Sequence, residues 1–414
     1  MTSEVLKVAE PSVTSPATVS SDTDLAGAKS LRVFLFDLLP TVPYYTGHLA
    51  AALSQVKDVE VVLGSPTYAH DPTFFRNMGL NNAPGMLDIS AQVKSSSLRR
   101  AVKLVEYLLN LAVCEGRFWR QKPDVIHVQF TPLLERRLPF EIWFLRAARA
   151  LGIKLVYTVH NLLPHENAEQ LRSSYADLYK LMDGFICHDY STKERLVREF
   201  EVDRRKVSVI PHGPLVSGAT ESGQPRKQET RTGKPVVLWQ GIIRPYKGLP
   251  FFLHAWQKAM QAGLEAQLVI VGTGEQQLTE EIRQLVRSLN LESSVRLDFR
   301  FVSTEELTSH YDSADIVVYP YSDITTSGAL MMGIGHRKAM IASDLPAFRL
   351  LLKHNRNALL VPHGDLTAWS DALLLLTSNA DLRARFSQLL SQDCASLPDW
   401  NAIARDTVQT YRNL

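Results

Sequence analysis

Two sets of short, predominantly apolar runs, most of them followed by a helical stretch, restrict this chain more than any other feature. The first set is LRVFLFDLL (31–39), VEVVLGS (59–65), PDVIHVQF (123–130), IKLVYTVHN (153–161), DGFICHD (183–189) and VSVIPHG (207–213). The second is PVVLWQG (235–241), QLVIVGTG (267–274), VRLDFRF (295–301), DIVVYPY (315–321), AMIASD (339–344) and ALLVPHG (358–364). A run that is apolar throughout, instead of alternating, belongs to a strand covered on both faces, as in a parallel sheet. Parallel neighbours need crossover helices, and stretches such as IWFLRAARALG, STKERLVREF and TEEIRQLVRSL supply them. The expected fold class is therefore α/β, with two successive doubly wound, Rossmann-like domains.

Length agrees with that reading, since 414 residues accommodate two domains of roughly 180–200 residues. Residues 1–29, rich in Ser, Thr, Pro and Ala, read as a disordered tail. Residues 30–213 make the first domain, and 214–234, polar and without hydrophobic period, the linker. Residues 235–395 make the second domain, and 396–414 a terminal helix expected to pack back across the domains. With 45 Lys+Arg against 43 Asp+Glu, the net charge of +2 argues against a nucleic-acid binder. Three scattered cysteines give no disulfide framework and no zinc ribbon. The N-terminus lacks the basic start and apolar core of a signal peptide, and no apolar run reaches membrane-spanning length. The expected place is the cytoplasm.

In such sheets, ligands bind outside the carboxyl ends of the strands, so the residues there matter most. Arg244 and Lys247 follow PVVLWQG at once. A guanidinium fork and an ammonium three residues on suit a diphosphate, although spacing alone leaves a solvated surface pair the commoner outcome. After DIVVYPY, Ser327 and Gly328 mark a helix start, where free backbone N–H groups attract phosphate; an ordinary N-cap is the plain alternative. Gly47, in PYYTGH, is read as opening the first helix on the opposite side of the cleft. His160 ends IKLVYTVHN with Asn161, and stands about evenly between a structural and a functional role. Gly272 and Gly274 form a GTG too short for a dinucleotide fingerprint. A DxD triplet occurs only at Asp22–Asp24 in the tail, so no metal is expected.

With those residues assembled, the chain resembles the retaining glycosyltransferases of family 4, which have the GT-B fold of two facing doubly wound domains. The resemblance runs from Leu31 to the C-terminus and rests above all on GIIRPYKG together with VIPHG, supported by LVIVGTGEQQ, SADIVVYPYS and AMIASDLPAFRLLL in family order. It implies a sugar transfer from a nucleoside-diphosphate sugar, UDP- or GDP-linked, to a saccharide or lipid-linked acceptor in polysaccharide or glycolipid synthesis. The donor is then a substrate, and no cofactor is expected. Arg244 and Lys247 match the pair that holds the diphosphate, and His160 the histidine that contacts the sugar. Gly47 matches a glycine beside the distal phosphate. Phe301 and Val302 match the segment lining the nucleobase pocket, with Gly272–Gly274 close by, and Gly328, Ala329 and Leu330 match the phosphate-binding helix start.

One departure stands out. The family usually carries two glutamates eight positions apart, where this chain has Ile324 and Met332; Asp323 is the adjacent carboxylate. That departure keeps a non-catalytic nucleotide-sugar-binding or partner protein as the alternative, and a GT-B enzyme of another reaction, such as an epimerase, as a third reading. Finally, residues 94–122 form an amphipathic helix carrying Lys94, Arg99, Arg100, Lys103, Arg117, Arg120 and Lys122. A solvated basic face explains it as well as peripheral contact with an anionic inner membrane face.

Overall fold

Each apolar run becomes a strand. The computed structural model describes residues 30–68, 71–90, 93, 96–164, 167–215, 233–324 and 327–414, and its strands assort into two six-stranded sheets. The first sheet contains β1 (Leu31–Phe36), β2 (Val59–Gly64), β3 (Val125–Val128), β4 (Lys154–Val159), β5 (Gly184–Cys187) and β6 (Val207–Val209), in the order β2-β1-β3-β4-β5-β6. The second contains β7 (Val236–Gln240), β8 (Gln267–Val271), β9 (Val295–Asp298), β10 (Ile316–Tyr319), β11 (Ala339–Ser343) and β12 (Leu359–Val361), in the order β12-β11-β10-β7-β8-β9. Every pairing is parallel.

Both faces of each sheet are covered, which is why the strands read as unbroken apolar runs. Along β1, Phe34 and Phe36 enter one core while Val33 and Leu35 enter the other. Along β10, Ile316 and Val318 face one core and Val317 and Tyr319 the opposite one. The disordered-tail reading of 1–29 and most of the linker, 216–232, lie outside the described residues.

The terminal helix Trp400–Arg412 belongs to the first domain by packing, although it follows the second in sequence. Its Ile403, Ala404, Val408 and Tyr411 join the core that holds Leu35 and Leu49. Trp400 stacks on His48 at 5.2 Å and donates its indole N–H to Pro214 O at 3.0 Å, while Tyr411 pairs its hydroxyl with His127 Nδ1 at 2.7 Å.

The start of the first helix departs from expectation. PYYTGH is not a turn leading into that helix, because the helix spans Pro43–Leu53 with proline in its first turn. Pro43 has its φ already set for a helix and no N–H to leave unsatisfied there. Gly47 is thus buried inside the helix, where a Cβ would lie 2.9 Å from Met78 Sδ and 3.0 Å from Phe74 Cε1. The glycine serves close helix packing and does not open the helix.

Two other glycines fix how the loops of the second sheet lie together. Gly248 has φ +68°, and a Cβ on it would stand 1.9 Å from Pro320 O. Gly272 has φ +147°, and a Cβ there would stand 1.9 Å from Gly241 O. Neither space nor backbone conformation admits a side chain. Gly272→Ala is expected to cost roughly 3 kcal/mol, read as a lower denaturation midpoint for the second domain with the first unchanged.

Candidate functional site

Strand order locates the site before any side chain does. In the second sheet the sequence order reverses between β7 and β10, and the loops leaving their carboxyl ends must diverge to opposite faces. The crevice at that switch point is lined by the segments carrying Arg244, Lys247 and Ser327. Ser322 N donates to Tyr246 O at 2.7 Å, so the two loops are fastened to each other.

Within the β7 loop, a single 3-10 turn, Pro245–Lys247, carries the basic pair. Arg244 makes a 3.5 Å ion pair with the exposed Glu275. Lys247 is half-buried, its ammonium 5.7 Å from the centre of the Tyr321 ring. Burial, then the nearby Arg244 charge, lowers its pKa to about 8. The ammonium therefore remains mostly charged near neutrality.

Facing it, the helix Gly328–Gly335 starts at Ser327, whose Oγ accepts from Leu330 N at 3.1 Å. The Ala329 carbonyl accepts from Tyr319 at 2.8 Å and from Tyr311 at 3.2 Å, which fixes the first turn against the sheet. First-turn N–H groups have no partner inside their own helix, so Gly328 and Ala329 present donors as well as the positive end of the helix dipole. Gly272 and Gly274 brace this site from the side: Ile243 N donates to Thr273 O at 2.7 Å, and Gly274 bridges to Ile243.

The two positions without glutamate are apolar by packing too. Met332 is buried in the core beneath the helix, and Ile324 packs at its margin. Asp323 is exposed, and its charge acts across the gap on Arg195, a first-domain arginine that also binds Glu199 at 2.9 Å. A second cross-domain contact joins Tyr68 to Phe301, rings 5.7 Å apart and edge-on. Beside it, Thr304 Oγ1 donates to Asp71 Oδ2 at 2.8 Å and meets the Tyr44 hydroxyl at 3.3 Å. The carboxyl ends of the two sheets thus face each other. In this arrangement Phe301 packs against the first domain's core and Val302 is buried in the second's.

On the first domain, His160 lies at the end of β4 and is buried beneath Tyr45, with ring centres 4.8 Å apart. His188, at the end of β5, and His212, just beyond β6, contact the same tyrosine at 5.2 and 5.0 Å. His188 Nδ1 donates to Ile210 O at 3.1 Å, so its Nε2 accepts from His160 Nδ1 at 3.3 Å. His160 Nε2 then carries a lone pair toward the Gln129 amide, 3.2 Å away. Turning that amide supplies the donor and satisfies the otherwise partnerless buried Gln129 nitrogen. Burial lowers the pKa of every member: His48 and His188 to about 4, His127 and His212 to about 3, and His160 well below the usual value.

Sequence reasoning singled out His160 alone. The signal for its neighbours was a repeat: VYTVH, FICH and VIPH each end a buried strand in histidine. Asp37, closing β1, was also passed over. Its buried carboxyl is pushed up to about 7 by desolvation, against hydrogen bonds from Thr46 Oγ1 at 2.8 Å and Thr41 N at 3.3 Å. The structure brings Arg244, Lys247 and Ser327–Leu330 to one crevice, with Gly272 and Gly274 as its brace. Gly47 and Phe301 are engaged in packing.

Comparison with known proteins places each half. Residues 42–214 match the model described as Glycosyltransferase Family 4, and residues 234–379 the model described as Glycosyl transferases group 1. A phosphatidyl-myo-inositol mannosyltransferase of Mycobacterium leprae is 28% identical over 207 residues, 50% of this chain and 53% of that enzyme. The match therefore spans about half the length of that relative. The O-antigen chain mannosyltransferase RfbU of Salmonella typhimurium is 23% identical over 84% of this chain and 90% of its own. Among solved structures, Anabaena Alr3699/HepE in complex with UDP and glucose superimposes with a TM-score of 0.70 at 15% identity, covering 93% of this chain and 100% of that one. Sucrose-phosphate synthase from Thermosynechococcus elongatus gives 0.67 at 19% identity, covering 92% and 98%.

The histidine cluster has a measurable consequence. Each histidine takes up a proton in the unfolded chain near pH 6.5 but stays neutral in the fold until about pH 4 or below. Depressed folded values mean stability that is full above pH 6.5 and is lost on acidification, each group adding about 1.4 kcal/mol per pH unit. Thermal melts between pH 7 and 5 are expected to show this steep loss, and His212→Gln to flatten it.

Proposed function

The chain belongs to the family 4 glycosyltransferases and has their two-domain GT-B fold, and on that premise we propose that it moves a sugar from a UDP- or GDP-linked donor to an acceptor hydroxyl. The reading is carried by one observation: two cations and a helix start converge at the switch point between β7 and β10. A leaving nucleoside diphosphate gathers negative charge as the glycosidic bond breaks. Groups already aimed at that charge lower the barrier without reorganising. Arg244 supplies a fork, Lys247 a partly desolvated point charge, and Gly328 and Ala329 backbone donors.

The transfer is assigned as retaining and metal-independent, the outcome that the family resemblance implies; Arg244, Lys247 and the helix dipole take the charge-neutralising role. Acceptors approach from the first domain, on the side of His160. A scaffold protein would have no use for such a clamp, so the missing glutamates do not favour a non-catalytic role. With Ile324 and Met332 packed as hydrophobes, sugar recognition falls to other groups, and the exposed Asp323 is the nearest carboxylate.

We place the enzyme at the cytoplasmic face of a membrane, where glycolipid acceptors would be met. The helix Ser96–Arg120 supports this, because Leu98, Val105, Leu109 and Trp119 are exposed beside Arg99, Arg117 and Arg120. Among the described residues no helix is long and apolar enough to cross a membrane. The contact would be peripheral, with apolar side chains entering the interface and arginines meeting anionic headgroups.

Lys247→Ala is expected to lower turnover by about 10²–10³-fold with the fold intact, measured as nucleoside diphosphate released on addition of acceptor. Near-normal turnover in that variant would refute the assignment. In the wild type, diphosphate affinity should fall as pH rises from 7 to 9, since Lys247 loses its proton near pH 8. Flotation with anionic liposomes should carry the protein upward, and Val105→Glu with Leu109→Glu should leave it at the bottom of the gradient.

A further inference from the structure

The donor crevice opens where two neighbouring strands stop pairing. The ladder between β7 and β10 covers Val237 and Leu238 opposite Ile316 and Val317. Each strand keeps its other neighbour to its end, with Gln240 beside Val271 and Tyr319 beside Ala342. The last residues of β7 and β10 therefore form a fork. From one prong runs the loop with Arg244 and Lys247, and from the other the chain that leads to the helix Gly328–Gly335.

Two tyrosine hydroxyls bridge that fork, and both residues are fully buried. Tyr319 donates to Ala329 O at 2.8 Å. Tyr311, from the helix Thr304–Ser313, has its Oη 3.2 Å from the same carbonyl and 3.1 Å from Gln240 Oε1. One proton is thus shared between the helix start and the end of β7. A carbonyl oxygen has two lone pairs, so Ala329 can accept from both tyrosines. Gln240 stands immediately before the basic loop, and Ala329 is the second residue of the facing helix. The two sides of the diphosphate clamp are therefore joined from behind.

The surroundings are shaped to this link. A Cβ on Gly333 would stand 2.2 Å from Tyr319 Oη but 3.4 Å from its Cζ, so the hydroxyl and not the ring requires glycine there. Glycine inside a helix weakens it, and here the helix gives up that stability to admit one oxygen. Behind Tyr311, the His336 ring stacks at 4.9 Å with 13° between planes, and Asp312 Oδ1 lies 3.2 Å from His336 Nδ1. Filling the core would need only phenylalanine at both tyrosine positions. A buried hydroxyl must recover its lost hydration, and both of these recover it at the same carbonyl.

We propose that Tyr319 and Tyr311 are positioning residues for donor binding, which hold Ala329 and Gln240 together and so set the first turn of the helix Gly328–Gly335 at the distance from the Arg244–Lys247 loop that a diphosphate spans. Being fully buried, they act through Ala329 and Gln240 and not by touching the donor. The proposal rests on the transferase reading, because it concerns how the donor of that reaction is held.

The test separates the phosphates from the nucleoside: UDP and GDP are titrated by calorimetry, uridine and guanosine by NMR. Tyr319→Phe should weaken binding of whichever diphosphate the wild type takes by about tenfold, and leave the matching nucleoside unchanged. Gly333→Ala alone should lower the melting temperature, because its Cβ meets the hydroxyl; the other close atom, Met340 Cε at 2.9 Å, ends a flexible side chain and can move. Adding Tyr319→Phe to Gly333→Ala should raise the melting temperature again while diphosphate affinity stays low. A tyrosine needed only for folding would let both recover together, and that result overturns the proposal. So does an unchanged diphosphate affinity in Tyr319→Phe, or an equal loss for diphosphate and nucleoside. A wild type that binds neither UDP nor GDP overturns the transferase reading itself, and is told apart from these outcomes before any variant is made.

Discussion

The donor crevice depends on three backbones lying closer together than side chains permit. Gly248 passes Pro320, and Gly272 passes Gly241, at separations that any Cβ would close. Because of that contact, the loops after β7, β8 and β10 form one rigid surface. Lys247 lies over Tyr321 on that surface, where a freely moving loop would leave it in water. Its lowered pKa follows from the same closeness. The electrostatics of the crevice are thus a product of backbone packing, and the glycines are as much part of it as the cations.

Rigid placement carries an energetic cost that the fold accepts. Burial, with the Arg244 charge nearby, disfavours the charged state of the Lys247 ammonium. The same logic holds on the first domain with the opposite sign of charge. Asp37 is buried at the end of β1 and prefers its proton more than an exposed carboxyl does. Both domains keep titratable groups under strain where their strands end, and their outer helices carry the ordinary exposed ion pairs, such as Arg283 with Glu280.

Much of this architecture was legible in the sequence for a physical reason. Strands buried on both faces are apolar at nearly every position, so β3 as VIHV and β10 as IVVY stand out from the residues alone. The basic pair and Ser327 were legible because strand ends are fixed by those runs. What escaped was long-range. Gly47 read as punctuation because nothing local shows that Phe74 and Met78 lie against it. The edge-on contact of Phe301 with Tyr68 was not legible because the two are more than two hundred residues apart; the role of Phe301 at a nucleobase pocket came only from the family resemblance. The histidines escaped individually, since one buried histidine means little and only the assembled sheet brings His160, His188 and His212 around Tyr45.

The terminal helix Trp400–Arg412 also bears on how the molecule comes into being. It completes the first domain's core, yet a ribosome makes it only after the second domain. Until then, His48, Tyr45 and His127 lack Trp400 and Tyr411 as neighbours, and the first domain waits unfinished while the whole of the second is synthesised. The vectorial order of synthesis therefore differs from the spatial order of assembly. A nascent chain would expose an aromatic and histidine-lined groove for the time that roughly two hundred residues take to emerge, about 10–40 s at ordinary elongation rates.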